Sequence, residues 1–176
     1  MEKSQATLIR RHELGETSWI VHWCTDGQGL VKTVAKGARG AKSPFSGRLD
    51  LFYQCEIVWA PARRGDLHHL REVSVVDSRE GIARDYGRTL AAAYFVALIE
   101  LVAERETPIP ELQRLLVTAL DWLTTSEPGW RAIERFERRL ALMLGILAGN
   151  GGGAAALLHH YHRLPAQRES LRTILG

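Results

Sequence analysis

The spacing of apolar residues along the chain changes once, near Asp77. Before that residue, short runs rich in β-branched and aromatic residues alternate with turn residues, and this pattern predicts five β-strands. The runs read TLIRRH, TSWIVHWCT, LVKTVA, LDLFYQCEIVWA and DLHHLREVSVV. Five short strands, with a long connection between the third and the fourth, match the strand plan of an OB-fold barrel. An SH3-like barrel and a small open sheet are the alternatives.

After Asp77 the apolar residues follow the 3.6-residue period of amphipathic helices. Three apolar stripes with this spacing begin at Leu90, Leu112 and Trp130, and they predict the core of a helical bundle. The sequence therefore predicts an α+β chain with two domains. A five-stranded OB-fold barrel occupies residues 1–77, and a helical domain with a glycine-rich linker at 149–153 occupies residues 78–176.

The distribution of charge is more informative than its sum. The chain has 23 Lys and Arg against 20 Asp and Glu, so its formal net charge is only +3. The segment between Gly27 and Leu49 nevertheless contains no acidic residue. Its cations are Lys32, Lys36, Arg39, Lys42 and Arg48. Because glycines among them let a loop approach a ligand closely and expose its N–H groups, the segment predicts contacts to backbone phosphates.

The position of this segment on the predicted barrel favours the phosphate interpretation over an inert, solvated connection. OB barrels bind nucleic acid on the face of strands 2 and 3 and on neighbouring loops. The loop between strands 4 and 5 adds two further cations, Arg63 and Arg64. Candidate stacking residues are Trp19, Trp23, Phe45, Phe52, Tyr53 and Trp59, although most aromatic residues on barrel strands face the core.

Several other classes of protein lack sequence support. The segment GARGAKS does not end in Gly-Lys-Ser/Thr at the spacing that a nucleotide phosphate loop requires. Cys24 and Cys55 lie inside apolar runs, which favours buried thiols in a reducing compartment. The amino terminus has no apolar core after its charges, and the longest apolar run is well short of the roughly 20 residues of a membrane span. We therefore expect a cytoplasmic protein without a membrane partner.

Two alternatives to nucleic-acid binding remain open. His159 and His162 are spaced i and i+3 on a predicted helix and would suit a metal-dependent hydrolase, but Glu169 is the only acid between Gly151 and the end of the chain. Exposed helical histidines are the ordinary explanation, and no metal or other cofactor is expected. The second alternative is a protein-interaction scaffold whose basic loop is inert, and salt-dependent binding of oligonucleotides would distinguish it.

A long, ordered stretch of the barrel resembles the RecO family of recombination mediators. The stretch is LGETSWIVHWCTDGQGLVKTVAKGARGAKSPFSGRLDLF, and the resemblance continues through LHHLREVSVVD and FERRLALMLG. The chain departs from many members because a short glycine linker stands where they have a cysteine zinc ribbon, so the zinc is not carried over. Gly40 also stands where the family often has a second basic residue.

The resemblance implies a non-enzymatic DNA-repair factor of the cytoplasm that associates with the nucleoid. Such a protein binds single- and double-stranded DNA, anneals complementary strands, contacts the C-terminal tail of single-stranded-DNA-binding protein (SSB), and works with RecR to load RecA. Lys36 and Arg39 match the DNA-contacting positions of the family's Lys-Gly-Ala-Arg segment. Lys42 and Arg48 are added to the site on charge and position.

Binding of the SSB tail, which is acidic with an apolar end, needs an apolar groove beside guanidinium groups. The third apolar stripe offers Arg135, Arg138 and Arg139, and we expect at least one of them to meet the carboxylates of the tail. Surface ion pairs with Glu134 and Glu137 are the alternative use of these arginines.

Overall fold

The computed structural model describes all 176 residues, and its first part is a closed barrel. The five strands are β1 (Glu2–Leu14), β2 (Ser18–Thr25), β3 (Gly29–Ala35), β4 (Gln54–Ala60) and β5 (Leu67–Asp77). They follow the order β1-β2-β3-β5-β4 around the barrel, with β4 returning to β1. All neighbouring pairs are antiparallel except β3 and β5. The predicted OB-fold barrel is therefore confirmed.

Alternation along the strands sends one side chain in two into the barrel. Trp23 is completely buried there, and its indole N–H donates a hydrogen bond of 2.9 Å to the Thr33 hydroxyl. Leu8, Val21 and Ile57 are also fully buried. This interior explains why the period-two pattern of the sequence identified most of the strands correctly.

The predicted fourth strand begins too early. Residues 49–53 are outside any strand, with a turn at Leu51 and Phe52, and β4 starts only at Gln54. Leu49 and Phe52 are both buried, and Phe52 has a φ of +70°, which no extended strand has. The segment LDLF mimics a strand because its apolar residues alternate, whereas in the structure it packs against the barrel as part of the preceding loop.

Contacts along the chain divide it into two compact units. One contains residues 1–79 together with the segment Glu104–Gln113, and the other contains Glu80–Ala103 and Arg114–Gly176. The predicted boundary between residues 77 and 78 stays a prediction. The segment Glu104–Gln113, which that boundary assigns to the helices, packs with the barrel.

Four kinds of contact attach the segment Glu104–Gln113 to the barrel. Arg105 forms a parallel backbone bridge with Leu30, and its guanidinium lies 2.5 Å from Asp66. Glu106 accepts a hydrogen bond of 3.2 Å from His68 Nε2, since Nδ1 of the same ring accepts the N–H of Ala62. Close approach also matters, because a Cβ at position 29 would overlap the carbonyl oxygen of Thr107.

The remainder of the chain is helical, as predicted. The helices are α1 (Glu80–Ala83), α2 (Tyr86–Val102), α3 (Pro110–Leu123), α4 (Trp130–Met143), α5 (Gly153–Tyr161) and α6 (Gln167–Leu175). The core of the helical unit includes Phe95 and Phe136, whose rings stack with centroids 4.1 Å apart. None of the helices combines the length and apolar character that crossing a bilayer requires.

A buried carboxylate connects three of these helices. Glu137 of α4 is only 1% exposed, and its Oε1 accepts hydrogen bonds of 2.7 Å from the Tyr94 hydroxyl of α2 and from Arg168 Nε of α6. Burial, together with the adjacent Glu137 carboxylate, raises the pKa of Tyr94, and the hydrogen bond to Glu137 raises the pKa of Arg168. Because the charge of Glu137 is paired and hydrogen-bonded, its burial is tolerated.

The predicted glycine linker ends in a tight helix contact. Gly149 has a φ of +55°, whereas Gly153 is buried and is already the first residue of α5. A Cβ on Gly153 would overlap the backbone of Glu137 and Arg138 in α4. The absence of a side chain at position 153 therefore allows α5 to lie directly against α4.

Candidate nucleic-acid interface

The loop that joins β3 to β4, residues 36–53, is the basic loop of the sequence analysis. Its backbone winds through successive turns, in which N–H groups donate to carbonyl oxygens three residues earlier, for example Gly40 to Gly37 and Ser43 to Gly40. Phe45 and Leu49 anchor the loop in the barrel core. The loop is therefore a folded element that presents its cations from a fixed backbone.

Lys36 and Lys42 are the cations that the loop leaves available. Both side chains are exposed, and neither forms an ion pair or a hydrogen bond in the structure. A phosphate can approach either ammonium group without displacing a protein partner. Of the predicted loop contacts, these two match most directly the requirements of an electrostatic DNA surface.

Arg39 is exposed but has partners within the barrel. Its Nη2 lies 2.8 Å from Glu13 Oε1, and its Nη1 donates a 2.9 Å hydrogen bond to the carbonyl of Gly15. The guanidinium also lies 5.4 Å from the ring centroid of Trp19. A phosphate that binds Arg39 has to compete with the carboxylate of Glu13.

Arg48 and Lys32, unlike Lys36 and Lys42, have partners in the barrel. Arg48 reaches over β5, where its Nη1 donates to the carbonyl of Val73 at 3.2 Å. Lys32 is on β3, and its ammonium lies 2.9 Å from Asp66, which also binds Arg105. The hydrogen bond from Lys32, with a second from Arg105, lowers the pKa of Asp66 to about 2. Lys32 is thus paired with a carboxylate that stays ionised at any ordinary pH and that it shares with Arg105.

Arg63 and Arg64 occupy the opposite end of β3. They belong to the β4–β5 loop, which leads into a strand whose first residue, Leu67, pairs with Lys32 in parallel orientation. The basic loop instead begins after Ala35, beyond the other end of β3. Both arginines are exposed and have no ion pair. The predicted DNA-binding residues therefore form two separate groups on the barrel.

The structure separates the six candidate aromatic residues. Trp23, Phe45, Phe52 and Trp59 are buried in the core. Trp19 and Tyr53 are only partly buried, and both line a cavity of about 360 Å³ under the basic loop. Phe45 also lines this cavity but is only 7% exposed, so Trp19 and Tyr53 offer most of the aromatic surface there.

Arg11 is a residue of this cavity that the sequence analysis missed. Its guanidinium lies 5.0 Å from the ring centroid of Trp19 and 3.3 Å from Asp50, and it also donates to the carbonyl of Leu49. The sequence does show two adjacent cations, Arg10 and Arg11, within β1. Their place beside the basic loop depends on strand pairing, which the sequence does not show.

His22 marks the outer face of β1, β2 and β3, the face that OB-folds use for ligands. It pairs with Arg10 on β1 and with Lys32 on β3, and its ring lies edge-on to that of His12 at 5.3 Å. Burial, with the neighbouring charges of His12, Lys32, Arg10 and Arg105, lowers the pKa of His22 to about 4. The ring is therefore neutral at physiological pH.

The helical unit contains an apolar groove of about 210 Å³. Phe95, Leu115, Trp122 and Phe136 contribute to its lining, together with Arg135 and Arg139. Both of these arginines are exposed and have no ion pair.

Arg138, the third predicted arginine, donates instead to the carbonyl of Gly151 at 3.1 Å. Glu137 is engaged by Arg168, so it does not pair with the arginines of its own helix.

The two histidines of the hydrolase alternative have no ligand set around them. His159 lies on α5, and His162 follows that helix with a φ of +61°. No group of three or more His, Cys, Asp and Glu side chains in the chain is arranged to hold a metal ion.

The strand order and closure of the barrel define an OB-fold protein. Comparison with known protein families then identifies the family. Residues 1–79 match the model of the N-terminal domain of recombination protein O, and residues 83–147 match that of its C-terminal domain. The chain belongs to the RecO family, and its general role is that of a recombination mediator in DNA repair.

Proposed function

We propose that the chain binds single- and double-stranded DNA through its basic loop, anneals complementary strands, and helps RecR to load RecA on DNA coated with SSB. Membership of the RecO family supports the partners. The observation that supports the DNA surface is the pair of exposed, unpartnered lysines, Lys36 and Lys42, on a loop fixed by buried anchors.

Annealing needs no catalytic group. Two strands must be concentrated on one surface with their phosphate repulsion screened, while their base edges stay free to pair. Cations on a fixed loop meet this need through binding energy alone. Arg39 adds to the surface when a phosphate displaces Glu13, and Arg48, Arg63 and Arg64 extend the field over other parts of the barrel.

Salt-dependent binding tests this proposal. In a plot of log K against log salt concentration for a labelled single strand, each phosphate contact contributes a slope of about −0.7. The double variant Lys36→Ala/Lys42→Ala should therefore flatten the slope by about 1.4, since it removes two contacts. It should also anneal complementary oligonucleotides more slowly at low salt, without ATP or added metal in either case.

Lys3→Ala is the matched control, because it also removes one lysine charge, but the Lys3 ammonium lies 2.9 Å from the carboxylate of Glu56. Its slope should stay close to that of the parent. A double variant with the parent's slope and annealing rate would remove the basic loop from the DNA surface and would favour the interaction scaffold with an inert loop.

A second part of the proposal assigns the SSB tail to the groove of the helical unit. The groove offers an apolar floor for the apolar end of the tail, and Arg135 and Arg139 are available for its carboxylates. Guanidinium groups suit this task because they bind carboxylates through two parallel hydrogen bonds. Arg138, whose guanidinium is engaged by Gly151, contributes less.

A further inference from the structure

We propose that the cavity under the basic loop is a nucleotide site that accepts one unstacked base of single-stranded DNA against Trp19, with the adjoining phosphate on Arg39 and Arg11. This inference rests on the proposed DNA-binding function and adds the ligand chemistry at one position of that surface.

The size and lining of the cavity fit such a ligand. Its volume of about 360 Å³ lies within the range of about 300–1,000 Å³ that is typical of small-ligand sites. Trp19 and Tyr53 supply aromatic surface, and Arg11 and Arg39 supply positive charge. Aromatic and cationic side chains together are the combination with which proteins bind bases and phosphates of single strands.

The indole of Trp19 already has planar cations as neighbours. The guanidinium of Arg11 lies 5.0 Å from its centroid, and that of Arg39 lies 5.4 Å from it. Contacts of this geometry are cation–π interactions, which are weak when the groups are accessible to solvent. A base that stacks on the same ring can therefore replace a guanidinium that has moved towards a phosphate.

Two carboxylates hold the arginines in the free protein. Glu13 lies 2.8 Å from Arg39 and Asp50 lies 3.3 Å from Arg11, and the two acidic side chains are 59% and 56% exposed. Ion pairs this exposed contribute little to stability, so a phosphate can displace either acid. Displacement of Glu13 would leave the hydrogen bond to the Gly15 carbonyl as the remaining polar contact of the Arg39 guanidinium, so that the guanidinium can shift and open the ring of Trp19 to a base.

The site should prefer single strands. A base within a duplex is stacked and paired, and it has to leave the stack at an energetic cost before it can enter a pocket. A base in a single strand is unpaired, so most of this cost does not arise. Lys36 and Lys42 bind only phosphates, so they can contact single- and double-stranded DNA alike.

The test compares two labelled oligonucleotides of equal length, one of thymidines and one of abasic tetrahydrofuran residues, at a single low salt concentration. Both have the same phosphates, and only the first has bases. The full-length parent should bind the thymidine strand about 5- to 150-fold more tightly, the factor that corresponds to stacking of one base. Trp19→Ala should reduce this ratio towards one, and Trp19→Phe should keep much of it.

Two further variants separate the base site from the phosphate surface. Lys36→Ala should weaken binding of both strands by the same factor and leave their ratio unchanged. Glu13→Gln should strengthen binding of both, because it removes the competitor of Arg39. Since Trp19 packs partly against the barrel core, thermal unfolding of each variant shows whether the fold is kept, and Glu13→Gln tests the site with the ring intact.

The possible failures differ from one another. A parent that binds both strands equally, or a Trp19→Ala variant that keeps the parent's ratio, would overturn the base site while DNA binding stands. Unchanged affinity in Glu13→Gln would overturn the competition between Glu13 and phosphate. A parent that binds neither strand would overturn the proposed function, and the base site with it.

Discussion

His22 couples the stability of the barrel to pH. Its pKa in the folded protein is lowered from the ordinary value of 6.5 to about 4, because the ring is half-buried and has positively charged neighbours. As the pH falls through this interval, the unfolded chain gains a proton that the folded chain does not bind. Unfolding therefore becomes more favourable between about pH 6.5 and about pH 4.

The variant His22→Gln should lose less stability than the parent over this interval. We expect the difference to be about 1–2 kcal/mol, after allowance for solvent screening of a partly buried group. Chemical denaturation at several pH values measures it. His159→Gln, which replaces an exposed histidine of α5, should follow the pH dependence of the parent. If His22→Gln does so too, His22 does not cause the loss.

The surroundings of a candidate site residue were predictable only where they are local. The exposure of Lys36 and Lys42 could be expected because both lie among small residues in a run without acids. Arg11 and Glu13 could not, because they reach the site through the pairing of β1 with β2 and the folding of the loop beside them. The pairing of cations with acids depends on these long-range contacts.

At the scale of elements, the basic loop and the start of α5 show why the spacing of apolar residues and the local composition do not suffice to predict secondary structure. Leu49 and Leu51 have the spacing of a strand, but Leu51 is exposed and the buried pair is Leu49 and Phe52. These two residues hold a loop on the barrel instead of forming a strand. Gly153 belongs to a composition typical of a flexible linker but is a helix-packing residue. The spacing of apolar residues and the local composition indicate which residues are buried. They do not indicate which part of the structure these residues pack against.

Gly153→Ala should therefore destabilise the helical unit. Its Cβ would overlap the backbone of α4, which cannot move aside as a flexible side chain could, so we expect a loss of about 1–3 kcal/mol. Gly152→Ala is the matched control. Position 152 has a φ of −73°, and no atom lies within 4 Å of the place that a Cβ would take, so its effect should stay within about 0.5 kcal/mol. Equal unfolding free energies for the two variants would contradict the close contact.

For the whole molecule, we propose a different ligand for the surface of each compact unit. The barrel unit presents cations around an aromatic cavity, and the helical unit presents an apolar groove with arginines. The sequence predicted the barrel, the helices and their order, because the change of hydrophobic period is visible in a single sequence. It did not predict that the segment Glu104–Gln113 packs with the barrel. That segment has neither the two-residue period of a strand nor the 3.6-residue period of a helix.

This division of surfaces predicts separable losses of function. Arg135→Glu should weaken binding of an SSB-tail peptide by about tenfold or more, because a charge-assisted hydrogen bond becomes a repulsion. It should leave the affinity for a single strand close to that of the parent. Lys36→Ala/Lys42→Ala should show the reverse pattern. Fluorescence anisotropy with each labelled ligand measures both.

The control is Arg131→Glu, which makes the same change on an exposed residue of α4 that does not line the groove. Its peptide affinity should match the parent's. Equal losses for Arg131→Glu and Arg135→Glu would mean that only the general charge of the helix attracts the peptide.

The two native cysteines give the molecule a practical property. Cys24 and Cys55 are buried, and burial raises the pKa of both thiols to about 12, so neither is an accessible thiolate at neutral pH. A maleimide dye should therefore find no native point of attachment, and the variant Ser46→Cys would offer it a single one on the exposed surface of the basic loop. The chain can thus be labelled at one chosen position with its own cysteines in place, and the dye would report the arrival of DNA as it happens.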